Sequence, residues 1–235
     1  SYVQGSMAKK ELVFRNHGFT GDKVNNRPRN NGFPSADAYL EISKADVILA
    51  FWGFNESFDN SPDAYRADLA KWVDETKGKK YNGESAPRLV LLSPIAHENL
   101  GQANLPDGSA NNERLAKYTE ATRQVANEKG VEFVDLFSLS QELYEDSKNP
   151  LTINGIHLTN EGNKLLSQGI YKNLFGKKPK IGKRKLTRVQ DAVLNKNWHW
   201  YNRYRATDGN DVWGGRSGLA FVNKQTNRTV LQHEL

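Results

Sequence analysis

Short apolar runs of strand length, set between segments of helical periodicity, constrain this chain more than any other feature. Residues 12–14, 47–52, 89–92 and 132–136 form such runs, and none is long enough to make a helix. Between them, Tyr65, Leu69, Trp72 and Val73 recur at helical spacing within residues 64–76. Leu115, Tyr118, Ala121, Thr122 and Val125 do the same within residues 112–129, before Gly130. Both segments predict amphipathic covering helices, the second stopped by its glycine. Strands alternating with helices imply a parallel sheet covered on both faces. The expected fold is therefore a three-layer α/β/α arrangement around a central parallel sheet of about five strands. A last helix should start near Asn160 with Thr159 as N-cap, turn Leu165, Leu166, Ile170 and Leu174 inward, and stop at Gly176.

That stop divides the chain into a main domain of residues 1–176, a basic linker of residues 177–189, and an extension of residues 190–235 that is too short for its own core and packs back on the main domain. The net charge is +6, and much of it lies in Lys177, Lys178, Lys180, Lys183, Arg184, Lys185 and Arg188. Such a run can meet an anionic partner, but Pro179 and Gly182 interrupt it and favour a solvated linker. No recognised nucleic-acid motif accompanies the charge, so nucleic acid is the last-ranked partner. The extension crowds Trp198, His199, Trp200, Tyr201, Tyr204 and Trp213 among Asn202, Arg203, Arg205 and Arg216. A short helix from Arg188 to about Arg203 is expected there, followed by turns at Asp208-Gly209 and Gly214-Gly215. Interleaved aromatics and arginines either bind sugars or bases or glue a docked extension in place. The sequence holds no cysteine, which excludes a disulfide framework, a thiolate metal site and a cysteine nucleophile. No apolar run approaches the roughly 20 residues of a membrane span, and no membrane partner is expected.

A parallel sheet gathers ligands beyond the carboxyl ends of its strands. Read in order, the residues there are Gly5-Ser6-Met7, then Asn16-His17-Gly18-Phe19-Thr20-Gly21-Asp22, then Gly53-Phe54-Asn55-Glu56, then Ser93-Pro94-Ile95-Ala96-His97-Glu98-Asn99, and finally Asn154-Gly155-Ile156-His157. The succession of serine, glycine, asparagine and histidine resembles the SGNH hydrolases, or GDSL-type esterases, from about Ser6 to Gly176. The strings around Thr20, Trp52 and Asn202-Arg203-Tyr204-Arg205 are similar to a bacterial subgroup that carries such a tail. The resemblance implies the flavodoxin-like SGNH hydrolase fold and a serine hydrolase needing no cofactor or metal. It assigns Ser6 as nucleophile, His157 as base and then acid, Asn154 as the group orienting His157, and Gly21 and Asn55 as oxyanion donors. A periplasmic or secreted location follows from the resemblance too.

Two departures stand out. The residue three before the histidine is usually aspartate in the family but is Asn154 here, which can accept a hydrogen bond from the imidazole yet brings no charge. The string Tyr2-Val3-Gln4-Gly5-Ser6-Met7 fits the first family block only at Ser6 and loosely at Met7, and it also resembles the scar of a cleaved affinity tag. A parallel crossover needs a dozen or more residues, whereas only residues 7–10 separate Ser6 from the run at Glu11, so a stretch is expected to be missing there. Substrate contacts are expected from Arg27 and Arg29, as a clamp for an acidic group, and from Glu56, His97, Glu98, Asn202 and Arg203. The leading reading is an esterase removing an O-acyl group from a carbohydrate, with a small-molecule or polysaccharide ester as its partner. The rival is a catalytically weak or inactive binding protein on the same scaffold, for carbohydrate or another anionic ligand.

Overall fold

The computed structural model describes residues 1–29, 33–204, 212 and 214–234. In chain order these form α1 (Tyr2–Ser6), α2 (Ala36–Ile42), β1 (Val47–Phe51), α3 (Pro62–Lys77), β2 (Arg88–Leu92), α4 (Ser109–Lys129), β3 (Glu132–Val134), α5 (Leu136–Asp146), α6 (Asn160–Phe175), α7 (Lys183–Tyr204), β4 (Ala220–Val222), β5 (Gln225–Thr226) and α8 (Asn227–Glu234). The first three strands make a parallel sheet in the order β1-β2-β3, with Leu49 beside Val90 and Leu92 beside Val134. β4 and β5 form a separate antiparallel pair.

Successive side chains of β2 point to opposite faces, and each face has its own core. Leu89 and Leu91 pack with Leu69 and Val73 of α3 and with Tyr118 and Val125 of α4. Val90 and Leu92 pack with Leu136, Leu166 and Ile170 from α5 and α6. A strand buried on both sides explains why β2 reads as a continuous apolar run. Each such side chain contributes roughly 1.5–3 kcal/mol by leaving water. The helix ends follow the sequence: Thr159 Oγ1 accepts from Gly162 N at 3.1 Å, Asp135 caps α5, and Gly130 and Gly176 close α4 and α6 at φ 62° and 65°.

The sheet has three strands rather than the five expected, and residues 12–14 are not among them. Residues 11–19 carry no regular structure, and Val13 is 71% exposed. A strand needs a partner for its backbone groups. Residues 12–14 and the free edge of β1 instead line a common cleft of about 2320 Å³. Because residues 11–19 join no sheet, no crossover is required between Ser6 and Glu11. The chain passes there through a turn in which Lys10 N donates to Met7 O, and Gln4 Nε2 reaches forward to Leu12 O.

The second half of the basic run, from Lys183 onward, is the opening of α7, so the helix starts earlier than the sequence predicts. α7 lies against the main body: Lys196 Nζ donates to Phe14 O, Trp200 Nε1 donates to Asn16 O, and the Arg15 guanidinium sits 5.1 Å from the Trp200 ring centroid. His17 is edge-on to the same ring, and burial together with Arg15 lowers its pKa to about 4. The predicted Asp208-Gly209 turn and Trp213 lie outside the described residues, as do the side chains of Arg203 and Tyr204. Among the described residues no helix is long and apolar enough to cross a membrane.

Candidate active site

A cavity of about 460 Å³ opens beyond the carboxyl ends of β1 and β2, where Asn55, Ser93 and His157 meet Asp22 and Ser167. This is where a parallel sheet offers a ligand site. His157 arrives on a tight loop between α5 and α6. Thr152 and Leu158 form an antiparallel bridge, Ile153 N donates to His157 O at 2.8 Å, and Gly155 turns at φ 90°.

The loop fixes the chemistry of its histidine. Asn154 Oδ1 accepts from the backbone N–H of His157 at 3.0 Å, which identifies that atom as the amide oxygen. The same oxygen lies 3.0 Å from His157 Nδ1. Nδ1 therefore carries the proton, and Nε2 keeps the lone pair that a general base requires. Asn154 thus orients His157 as predicted, with an amide in place of a carboxylate.

Asn55 also lines the cavity, with Nδ2 donating to Asp22 O at 2.8 Å, which leaves its second amide hydrogen for a ligand. Gly21 stands at φ 82° in the turn just before Asp22, and it is Asp22 that reaches the cavity wall.

Ser6 is not brought to this site. It ends α1, which packs on α6 and α7, it does not line the cavity, and its hydroxyl is buried with no hydrogen-bond partner. A nucleophile needs its base within hydrogen-bond reach, so the Ser6–His157 pair read from the sequence is corrected. The hydroxyls that do line the cavity are committed elsewhere. Ser93 Oγ accepts from Leu136 N and Phe137 N, and Ser167 Oγ donates to Lys164 O.

The expected substrate contacts also change role. Arg29 grips Asp22 through two 2.7 Å bonds and lies 4.0 Å from the Phe19 ring centroid. Arg27 donates to Val24 O and stacks near Trp52, and burial lowers its pKa. Both guanidinium groups hold the loop instead of clamping a ligand. Glu56 is buried, with Oε1 accepting from Val24 N and Oε2 from Gly53 N, so it ties the turn carrying Asn55 to the segment carrying Asp22. His97 and Glu98 are buried beneath the His157 loop. Asn202 donates to Trp198 O on α7 and lies off the cavity. The side chain of Arg203 is outside the described residues. Asp22 and Ser93 were not singled out by sequence reasoning, although both fall in the strings that follow predicted strands. Among the described residues no group of three or more histidine, aspartate or glutamate side chains is placed to hold a metal ion.

The model of the GDSL-like lipase/acylhydrolase family matches residues 2–165 of this chain. No curated protein matches the sequence. Among solved structures, an acetylxylan esterase from Geobacillus stearothermophilus, Axe2, is similar at a TM-score of 0.55 and 19% identity, covering 74% of this chain and 77% of that one. A tryptophan-to-isoleucine mutant of Axe2, described as an acetyl-xylooligosaccharide esterase, gives 0.56 at 19% identity over the same shares. A lipase/acylhydrolase from Enterococcus faecalis gives 0.48 at 20% identity, covering 69% of this chain and 75% of that one. At these identities the likeness is one of fold.

Proposed function

The chain belongs to the GDSL-like lipase/acylhydrolase family, an ester-cleaving class of hydrolase, and on that premise we propose that it removes a small O-acyl group from a carbohydrate with His157 as the general base. The observation that carries this reading is the protonated Nδ1 of His157 held by Asn154, which leaves Nε2 basic at a cavity that Asn55 also lines. Among the described residues no side-chain hydroxyl stands against that nitrogen, so the attacking oxygen is that of water. Water adds to the ester carbonyl as its proton passes to Nε2. The oxyanion takes the spare N–H of Asn55, and the alcohol leaves with the proton from His157. A cavity of this size suits an acetyl group better than a long acyl chain. The exposed Trp198 and Tyr201 on α7 offer flat apolar surface of the kind that stacks on sugars. The fold likeness to an acetylxylan esterase makes acetylated xylo-oligosaccharides the first substrates to try.

The test is initial-rate hydrolysis of p-nitrophenyl acetate and acetylated xylo-oligosaccharide by the wild type, His157→Ala and Ser6→Ala. The expected outcome is loss of the rate in His157→Ala, a wild-type rate in Ser6→Ala, and no labelling by a fluorophosphonate. Loss of the rate in folded Ser6→Ala, with labelling of Ser6, would return the nucleophile to that residue. A second reading, a binding protein on the same scaffold, is favoured by the distance of Ser6 from the site and by the uncharged Asn154. It predicts that His157→Ala and the wild type are equally slow, while acetylated xylo-oligosaccharides still bind in calorimetry.

A further inference from the structure

The mechanism above leaves one buried charge unused. Glu98 is only 6% exposed, and its carboxylate is wholly turned to the His157 loop. Leu151 N approaches Oε1 at 3.0 Å and Oε2 at 3.1 Å, while Thr152 N and Thr152 Oγ1 donate to Oε2 at 2.7 and 2.6 Å. The backbone closes the same contact from the other side, with Glu98 N donating to Gly155 O at 2.8 Å. Thr152 Oγ1 in turn accepts from Gly155 N at 3.0 Å. The neighbouring His97 ring fills the space under the turn, so that a β-carbon on Gly155 would lie 2.2 Å from its Nε2. Asn111 Nδ2 holds that ring at Nδ1, and Asn112 binds the His97 backbone at both N and O.

Isolating a carboxylate from water is costly unless several donors compensate it. Here the donors belong to residues 151 and 152, which enter the turn presenting Asn154 and His157. We infer that Glu98 is a positioning residue for the reaction: its buried carboxylate clamps the 151–155 turn and so sets where the His157 imidazole stands relative to Asn55. This rests on the reading of His157 as the base. The clamp uses an anion solely as an acceptor, and glutamine at this position cannot replace it. One of its two terminal atoms would be an NH₂ facing the N–H of Leu151 or Thr152. The turn must then shift, and a misplacement of about 1 Å can cost about 10²-fold in rate.

The experiment compares wild type, Glu98→Gln, Glu98→Asp and Thr152→Val, each checked for folding by circular dichroism. Two readouts are taken: kcat and KM on p-nitrophenyl acetate, and the ring-nitrogen NMR signals of His157 through its titration. In Glu98→Gln, kcat should fall about 10- to 100-fold with KM changed less than about twofold. The His157 titration should move, and the Nδ1–H form should lose its dominance. Thr152→Val keeps the charge but removes one donor, so it should shift both readouts in the same direction by less. It also decides the matter should Glu98→Gln not fold. Glu98→Asp should recover part of kcat if the charge is what matters. Wild-type kcat and an unchanged His157 titration in folded Glu98→Gln or Thr152→Val would overturn the inference. A wild type that cleaves no ester would count against the proposed function alone, because the NMR comparison still reports whether Glu98 sets the state of His157.

Discussion

At the scale of single residues, the most consequential atom is the side-chain oxygen of Asn154. It accepts from His157 N at 3.0 Å and lies 3.0 Å from Nδ1, while Ile156 N is at 3.4 Å. An aspartate could accept the same bonds in the same place and would add a charge beside the imidazolium that forms during turnover. Losing that charge from a serine-protease triad costs about 10⁴ in kcat through the wrong tautomer, whereas here the tautomer is already right. Asn154→Asp should therefore raise kcat by a smaller factor, about tenfold, and move the acidic limb of the rate profile to higher pH as the carboxylate favours the imidazolium. A profile of kcat against pH for both proteins checks this, and an unchanged or lower kcat with no shift would refute it. The His157–Asn154 pair was legible in the sequence because its whole geometry is local, four residues in one turn. The role of Ser6 was not, since order along the chain says nothing about which helix packs where. Glu56 and Glu98 were misread for a related reason: a sequence displays a carboxylate but not its burial, and burial is what turns both from ligand contacts into clamps.

The elements that were legible are those whose ends are marked locally. α6 begins after Thr159 and closes at Gly176, and both residues announce it in the sequence. The same start anchors the catalytic loop, because Thr159 Oγ1 also donates to Leu151 O at 3.1 Å, and Thr159 N binds Leu151 O at 2.8 Å. Gly162 packs so closely there that a β-carbon would stand 2.2 Å from Leu151 O. Thr159→Ala should cost about 1 kcal/mol as a lost N-cap. Gly162→Ala should cost more, despite alanine's better helix propensity, because the obstacle is backbone and cannot rotate away. Urea unfolding of the three proteins tests the order, and a Gly162→Ala protein as stable as wild type would show that α6 can slide off the loop. Residues 12–14 failed as a strand for the opposite reason: their apolar pattern is right, but a strand is defined by its neighbour. α5 was not singled out in the sequence, although Asp135 caps it, because its apolar face runs straight on from β3.

The molecule as a whole carries the consequence of a sheet that stops at three strands. On β1, Val47 is 51% and Phe51 55% exposed, with Leu49 at 36%, along an edge whose other side is the large cleft. A free edge with apolar side chains is a template for adventitious pairing, and proteins commonly guard such edges with lysine. Lys44, Lys71 and Lys79 do line this cleft, but none lies on β1 itself. The expectation is a chain that binds the dye ANS while folded and associates as its concentration rises. Leu49→Lys should weaken both, because it places a charge in the middle of the exposed stripe, and it leaves the cores built on Leu89, Leu91, Val90 and Leu92 untouched. Sedimentation velocity across a concentration series, with ANS fluorescence and circular dichroism on the same samples, provides the check. Reduced dye binding and association at an unchanged helical signal would tie the behaviour to the β1 edge. Equal dye binding by wild type and variant would place the sticky surface elsewhere, with the exposed Leu194, Trp198 and Tyr201 of α7 as the other large apolar stripe.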